Sequence, residues 1–383
     1  MYRIVKYSIV DKALWNSFVK NSKNGIFMFD RDFMEYHSDR FVDNSLMFYD
    51  EKDNLVALMP ANIKDNVLYS HQGLTYGGFI VNNDMKQHKM LECFECLKTY
   101  MKENNISQLV YKTMPHIYHK LPSEEDLYAL YKNNAKLLKI EPSTTIFLAN
   151  PCKMTKGRKA QVSRAKREGA VVQESNDFKA FIELENKVLK ENHNVKAVHT
   201  GEELELLNSR FSDNIKLFVA KYNNEIIAGA LLFIYDEVVH TQYLAANDKA
   251  REIGALDLII NELINKYKNS KKYFDFGIST EDNGQYLNEG LISQKESFGG
   301  RTTCNLVWEL NGQHISTSYQ LADVQSRNIK EGTNICQYGA VLPDANIGAN
   351  ATKFSEATVG ENTIMTTRSI VAKDVEKDSM VGI

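Results

Sequence analysis

Asp275, between Phe274 and Phe276 at the end of a strand-like run, is the side chain best placed for proton chemistry. It either points into a cleft or caps the following turn, and in a cleft desolvation would lift its pKa toward a useful base. Glu281, six residues on in a polar loop that only a ligand would order, is a second carboxylate for the same task. His37 and His71 are neutral-pH bases by type, although a lone histidine is often a polar core or surface residue. Lys156, Arg158, Lys159, Arg164, Lys166 and Arg167 make the densest cationic patch in the chain. On a helix they cannot all face one way. They read either as a solvated surface or as an anion clamp, suited to a nucleotide-sugar diphosphate, a coenzyme's phosphates or a tRNA acceptor stem. Gly299 and Gly300, before Arg301, either let backbone approach a ligand or make a routine turn, and Gly77 and Gly78 read the same two ways.

These residues need elements to hold them. A helix is expected at 11–21, strands at 45–49 and 56–60, a strand into the glycine-rich turn at 68–78, a helix at 84–104 and a strand at 109–113. A similar order returns after Cys152. Helices are expected at 156–168 and 176–192, strands at 215–222 and 226–235 around Asn223-Asn224, a strand at 238–246, a helix at 255–267 and a strand at 273–277. Two successive half-units of mixed strands and helices indicate α/β or α+β layering. The expected boundaries are 1–150, 151–312 and a tail at 325–383.

The tail has its own pattern. Ile335, Val341, Ile347, Lys353, Val359, Met365 and Val371 recur at every sixth residue, each preceded two positions earlier by a small residue. This ladder fits neither helical nor simple strand periodicity, and it is the mark of a short left-handed hexapeptide β-helix. Lys353 takes an interior rung, where a cation needs a partner or an exit to solvent.

At 383 residues and 43% hydrophobic content the chain has material for two or three ordinary cores, which excludes a disordered protein. A formal net charge of -3 argues against nucleic-acid binding through bulk charge, though not against a local basic patch. Five scattered cysteines suit a reducing compartment, and Cys93-x-x-Cys96 lies in a helical run with no second pair to complete a zinc site, so no metal is expected. The start of the sequence lacks a hydrophobic signal region and no apolar run approaches a membrane span, so the chain reads as cytoplasmic.

The tail resembles the hexapeptide-repeat acyltransferases, many of which acylate sugars. Such enzymes usually take their base from a histidine in or beside the coils, whereas the last histidine here, His314, precedes the repeat. The resemblance therefore implies an assembly module, one that trimerises as its relatives do, in place of a second catalytic centre. In the body, Tyr273-Phe274-Asp275-Phe276-Gly277-Ile278-Ser279-Thr280, Asn283-Gly284, Gln294-Lys295-Glu296-Ser297-Phe298-Gly299-Gly300 and the basic run from Lys156 to Gly169 resemble the FemAB-like branch of the GNAT acyltransferase superfamily. That branch fuses two GNAT-like domains in one chain.

The resemblance implies acyl transfer to an amine or hydroxyl, from an acyl-coenzyme A or, in the peptidoglycan branch, from aminoacyl-tRNA. Acetyl-coenzyme A and an amino sugar or related precursor of surface polysaccharide form the first expectation. An aminoacyl-tRNA-dependent ligase of cell-wall precursors is the alternative, and a non-catalytic oligomeric scaffold is a third. Arg251, Glu252, Ile253, Gly254, Ala255 and Leu256 match two of the three defined positions of the GNAT loop, so the resemblance puts the coenzyme's diphosphate at that helix start. It puts substrate on the turn carrying His71, Gly73, Thr75 and Tyr76; His37, Arg158, Arg164, Gly299 and Gly300 are expected by residue type as further contacts. It also puts an oxyanion site on a bulged strand edge near Tyr243–Ala246.

Overall fold

The computed structural model describes residues 2–193 and 196–312 and, beyond them, Glu376 and short strands between 328 and 381. The chain divides into two compact units, Met1–Gly312 and Gln313–Ile383.

In the first unit, Ile215–Tyr222 and Glu225–Ile234 form a hairpin. Asn223 and Asn224 turn it, with φ of 49° and 67°, a conformation that asparagine tolerates and that tight two-residue hairpins require. Side chains on these strands alternate between two cores, as a period of two demands. Leu217, Leu231, Phe233 and Val238 pack with Phe178, Phe181 and Ile182 of the helix Phe178–His193. Phe218, Ala230, Leu232, Val239 and Phe274 pack on the other face with Leu258, Ile259 and Leu263 of the helix Ala255–Tyr267, and with Val162 and Ala165 of the basic helix Lys156–Arg167.

One eleven-stranded sheet runs through the unit. The strand Val171–Ser175, the hairpin, Val238–Ala246 and Tyr273–Ile278 form one part, and Gln108–Lys112, Val67–Tyr69, Asn62–Lys64 and Val42–Asp43 form the other. Two long strands join them. Lys136–Phe147 pairs antiparallel with both Tyr273–Ile278 and Arg301–Asn311, and Arg301–Asn311 pairs in turn with Gln108–Lys112. The sheet thus continues across residue 150. A four-stranded sheet of Arg3–Lys6, Leu46–Tyr49, Leu55–Met59 and Ile80–Val81 packs separately, with Leu46, Phe48 and Ala57 in the same core as Phe94 and Leu97 of the helix Gln87–Glu103.

The detail that positions the site is a parting of strands. Val238–Ala246 and Tyr273–Ile278 pair in parallel at Val238 with Tyr273, Val239 with Phe274 and His240 with Asp275, and at no later position. Beyond them Gly277 turns to φ 75° and the register against Lys136–Phe147 shifts. On its other side Val238–Ala246 stays paired through Ala246, with an irregularity between Thr241 and Tyr243.

In the second unit, two-residue strands recur at every sixth position from Asn334–Ile335 to Ile370–Val371. They pair in parallel with partners eighteen residues on, as Ile335 with Lys353 and Lys353 with Val371. The hexad residues all occupy the second place of these strands. Among the described residues no helix is long and apolar enough to cross a membrane.

Candidate active site

The last in-register pair before the strands part, His240 and Asp275, is buried and hydrogen-bonded. Asp275 accepts from His240 Nδ1 at 2.7 Å, Ser143 Oγ at 2.6 Å, Thr145 Oγ1 at 2.8 Å and Tyr118 Oη at 3.0 Å. Tyr76 Oη donates onward to Tyr118 Oη at 2.8 Å. Burial alone would raise the Asp275 pKa. The bonds from His240, Ser143 and Thr145 outweigh it and hold the carboxyl below its ordinary range. An ionised carboxylate only accepts, so Nδ1 of His240 carries a proton and Nε2 is left as the ring's exchangeable nitrogen.

His240 lines a cavity of about 450 Å³ that opens where the two strands separate. Thr75 and Tyr76 of the glycine-rich turn, Lys112, the 241–244 stretch, Phe276–Ile278 and Lys295 also line it. Lys295 Nζ donates to the carbonyls of Gly277 and Ile278 at 3.0 and 2.6 Å, and burial pushes its pKa down to about 8. Lys112 Nζ donates to the carbonyls of His71 and Leu74 at 3.1 and 2.6 Å and is likewise pushed by burial to about 8. Each ammonium keeps a third donor beyond these two bonds. Lys139 and Glu141, also at the cavity, pair with each other at 3.0 Å.

The structure redistributes the residues singled out from sequence. Asp275 neither caps a turn nor reaches the cavity as a raised-pKa base: it is 1% exposed, held low, and acts on His240. Glu281 is exposed, accepts from Asn288 Nδ2 at 2.7 Å and lies off the cavity. Tyr243 does line the cavity, with its hydroxyl 2.8 Å from His199 Nδ1. His37 and His71 stack on each other in the first half, ring centroids 5.5 Å apart, and do not line it. Burial pushes both pKa values down, that of His71 to about 3. Gly73 packs against His37, and of the turn residues only Thr75 and Tyr76 face the cavity.

The remaining residues stand apart from it. Gly299 and Gly300 abut Cys152 and Thr144 at separations that leave no room for a side chain, which is a packing role. Arg158 bonds Asp257 and Ser297 at 2.7 and 2.8 Å, and Arg164 reaches toward Glu252 at 3.9 Å. Arg251 and Glu252 are exposed, Ile253, Gly254 and Ala255 are buried, and Leu256 is half-buried. Gly254, at φ 81°, begins the helix Ala255–Tyr267, and a side chain there would lie 2.7 Å from the backbone oxygen of Gln161. The first turn of that helix already carries the Asp257 carboxylate.

Sequence reasoning missed His240, Tyr118, Lys112 and Lys295 as site residues. The signal for His240 was present: a histidine in a strand at the position that registers with Asp275. It became usable only once the 35-residue separation was closed by strand pairing.

Residues 154–286 match the family described as Acetyltransferase (GNAT) domain. Among solved structures, FemX superposes with a TM-score of 0.57 at 12% identity, over 80% of this chain and 96% of that one. L-PGS from Bacillus licheniformis gives 0.50 at 14% identity, over 70% and 83%. The C-terminal DUF2156 domain of an Agrobacterium fabrum protein, proposed as a lysylphosphatidylglycerol synthetase, gives 0.52 at 10% identity, over 80% and 93%. At these identities the likeness is one of fold. No curated protein matches the sequence. Residues 154–286 thus match a GNAT acetyltransferase domain within a mixed α/β fold built on large sheets, and this match supports an N-acyltransferase.

Proposed function

We propose that this protein transfers an acyl group to an amine inside the cavity at the strand parting, with His240 Nε2 as the general base. The observation that carries this reading is the His240–Asp275 bond, which fixes the tautomer and turns the acceptor nitrogen away from the carboxylate. The amine gives a proton to Nε2 and attacks the donor carbonyl. The new C–N bond forms as the C–S bond of a thioester breaks, and the proton on His240 passes to the leaving sulfur. Backbone N–H groups of residues 241–246 on the side that loses its strand partner, together with the Lys295 ammonium, are positioned to stabilise the oxyanion.

The first donor is an acyl-coenzyme A, with acetyl as the acyl group and an amino sugar or related surface-polysaccharide precursor as acceptor; the GNAT domain match supports the coenzyme. The diphosphate position expected at Arg251–Leu256 lies at a closely packed helix start. The Gln161 backbone packs against Gly254, and the Asp257 carboxylate in the first turn is paired with Arg158 at 2.7 Å. No step is assigned to that loop. A second donor is an aminoacyl ester of tRNA, for which the exposed Lys156, Lys159, Lys166 and Arg167 offer phosphate contacts.

The tail reads as a short left-handed β-helix that gathers copies of the chain, a trimer on the pattern of the proteins it resembles; the eighteen-residue pairing offset supports three hexads per coil. With no membrane span among the described residues, a cytoplasmic setting is retained as part of the proposal.

The test supplies acetyl-coenzyme A and, separately, aminoacyl-tRNA to the purified protein with a panel of amino-sugar nucleotides. Thiol release that requires an amine supports the first donor. Release of uncharged tRNA with amide formation supports the second, and neither product overturns the reading.

A further inference from the structure

The helix Phe178–His193 turns an apolar stripe of Phe178, Phe181 and Ile182 into the core it shares with Leu231, Phe233 and Val238. Glu185 holds the next place on that stripe, at the seven-residue spacing where an aliphatic side chain is expected. It is 5% exposed and lines the cavity with His240 and Tyr243. Its Oε2 is fully enclosed and has no hydrogen-bond partner among the described residues. A carboxylate taken out of water without a partner is costly, and natural interiors supply one by pairing or by ligand.

The surroundings show what is missing. The cations at this cavity are engaged elsewhere: Lys139 on Glu141, Lys112 and Lys295 on backbone carbonyls. Burial alone acts on the Glu185 carboxyl and pushes its pKa up to about 7, with no cation offsetting it. His199, whose Nδ1 meets the Tyr243 hydroxyl, is itself pushed by burial to about 4 and brings no charge. Side-chain alternation along Val238–Ala246 turns His240 to the same face as Val238, the face that this helix covers. A base nitrogen and an unpaired carboxylate therefore border one space.

We infer that Glu185 is the docking carboxylate for the ammonium group of the acceptor, and so selects primary amines over hydroxyl acceptors. This rests on the acyl-transfer reading above and goes beyond it in naming the group that recognises the acceptor. The ammonium satisfies the orphaned oxygen and brings its charge into the cavity. The ammonium first loses one proton to solvent; His240 takes the second as the C–N bond forms and passes it to the leaving group, so Glu185 contributes to acceptor binding and His240 to the chemical step.

The experiment measures binding by calorimetry, without any acyl donor, of three amines and their hydroxyl counterparts: ethanolamine against ethylene glycol, D-glucosamine against D-glucose, and UDP-glucosamine against UDP-glucose. The wild-type protein should bind at least one amine tenfold or more tightly than its counterpart. Glu185→Gln should abolish that preference, and Glu185→Asp, which keeps the charge, should retain part of it. Circular dichroism of each variant checks that it folds. A wild-type protein that prefers no amine in the series, or a Glu185→Gln variant with an unchanged preference, overturns the inference. Because no acyl donor is present, this outcome is separate from the fate of the acyl-transfer reading, which thiol or tRNA release decides.

Discussion

His240 and Asp275 are the last residues in register on two parallel strands that separate immediately after them, and they are joined by a 2.7 Å hydrogen bond at the mouth of the resulting cavity. The pairing places the proposed base where the sheet opens, and the carboxylate where the sheet is still closed. Asp275→Asn keeps the shape but offers an amide that can donate to Nδ1, which would move the proton to Nε2 and disable the base. The rate should fall by about 10²–10⁴-fold with little change in the Michaelis constant. Steady-state kinetics with an amine acceptor checks this.

Lys295 supplies a pH limb. Its pKa lies near 8, so its ammonium is progressively lost above that pH. If it stabilises the oxyanion, activity should decline above pH 8, and Lys295→Met should remove both the decline and much of the rate. Lys112 titrates in the same region, so Lys112→Met, profiled alongside, assigns the limb.

Glu185 should make the unliganded protein less stable as pH rises. Its folded pKa, about 7, stands above the ordinary 4.5, so the folded state binds the proton more tightly. Stability attributable to this group is present below pH 4.5, falls between 4.5 and 7, and flattens above. The span is roughly 3 kcal/mol. Asp126 is also raised by burial, to about 6, and falls in the same window. The difference between wild type and Glu185→Gln in denaturant titrations at several pH values isolates the Glu185 share.

Gly254→Ala should destabilise the fold. The new methyl meets the Gln161 backbone at 2.7 Å from a left-handed conformation, a cost of about 1–3 kcal/mol. Chemical unfolding measures it. If this glycine instead served only to admit a diphosphate, stability would be unchanged and only coenzyme binding would suffer.

Deleting the residues after Lys330 should lower the oligomeric mass while the first unit, Met1–Gly312, keeps its fold, because that unit carries its own cores. Light scattering gives the mass. A truncated protein with the parent's mass removes the proposed role of the tail.

Local pattern carried much of the fold. The strands Ile215–Tyr222 and Val238–Ala246 and the helix Ala255–Tyr267 were legible to the residue, because alternation, the Asn223-Asn224 turn and Gly254 mark them locally. The long strands Lys136–Phe147 and Arg301–Asn311 were not. Their faces are largely half-buried or exposed and give no clean alternation, and their meaning lies in pairing with each other across the chain. The site divided the same way. Asp275 stood out by type and neighbourhood, and Tyr243, Thr75 and Tyr76 through the resemblance, whereas Glu185 looks like a helix surface charge until packing turns it inward. His37 and His71 drew notice as histidines, but they are buried against each other and do not line the cavity.

The most direct measurement is the single-turnover rate of acyl transfer by wild type and His240→Asn, using the donor that the two-donor assay identifies and an amine acceptor. The account predicts amide formation by the wild type and a loss of at least about a hundredfold in the variant at unchanged donor affinity. Equal rates for the two proteins would contradict it.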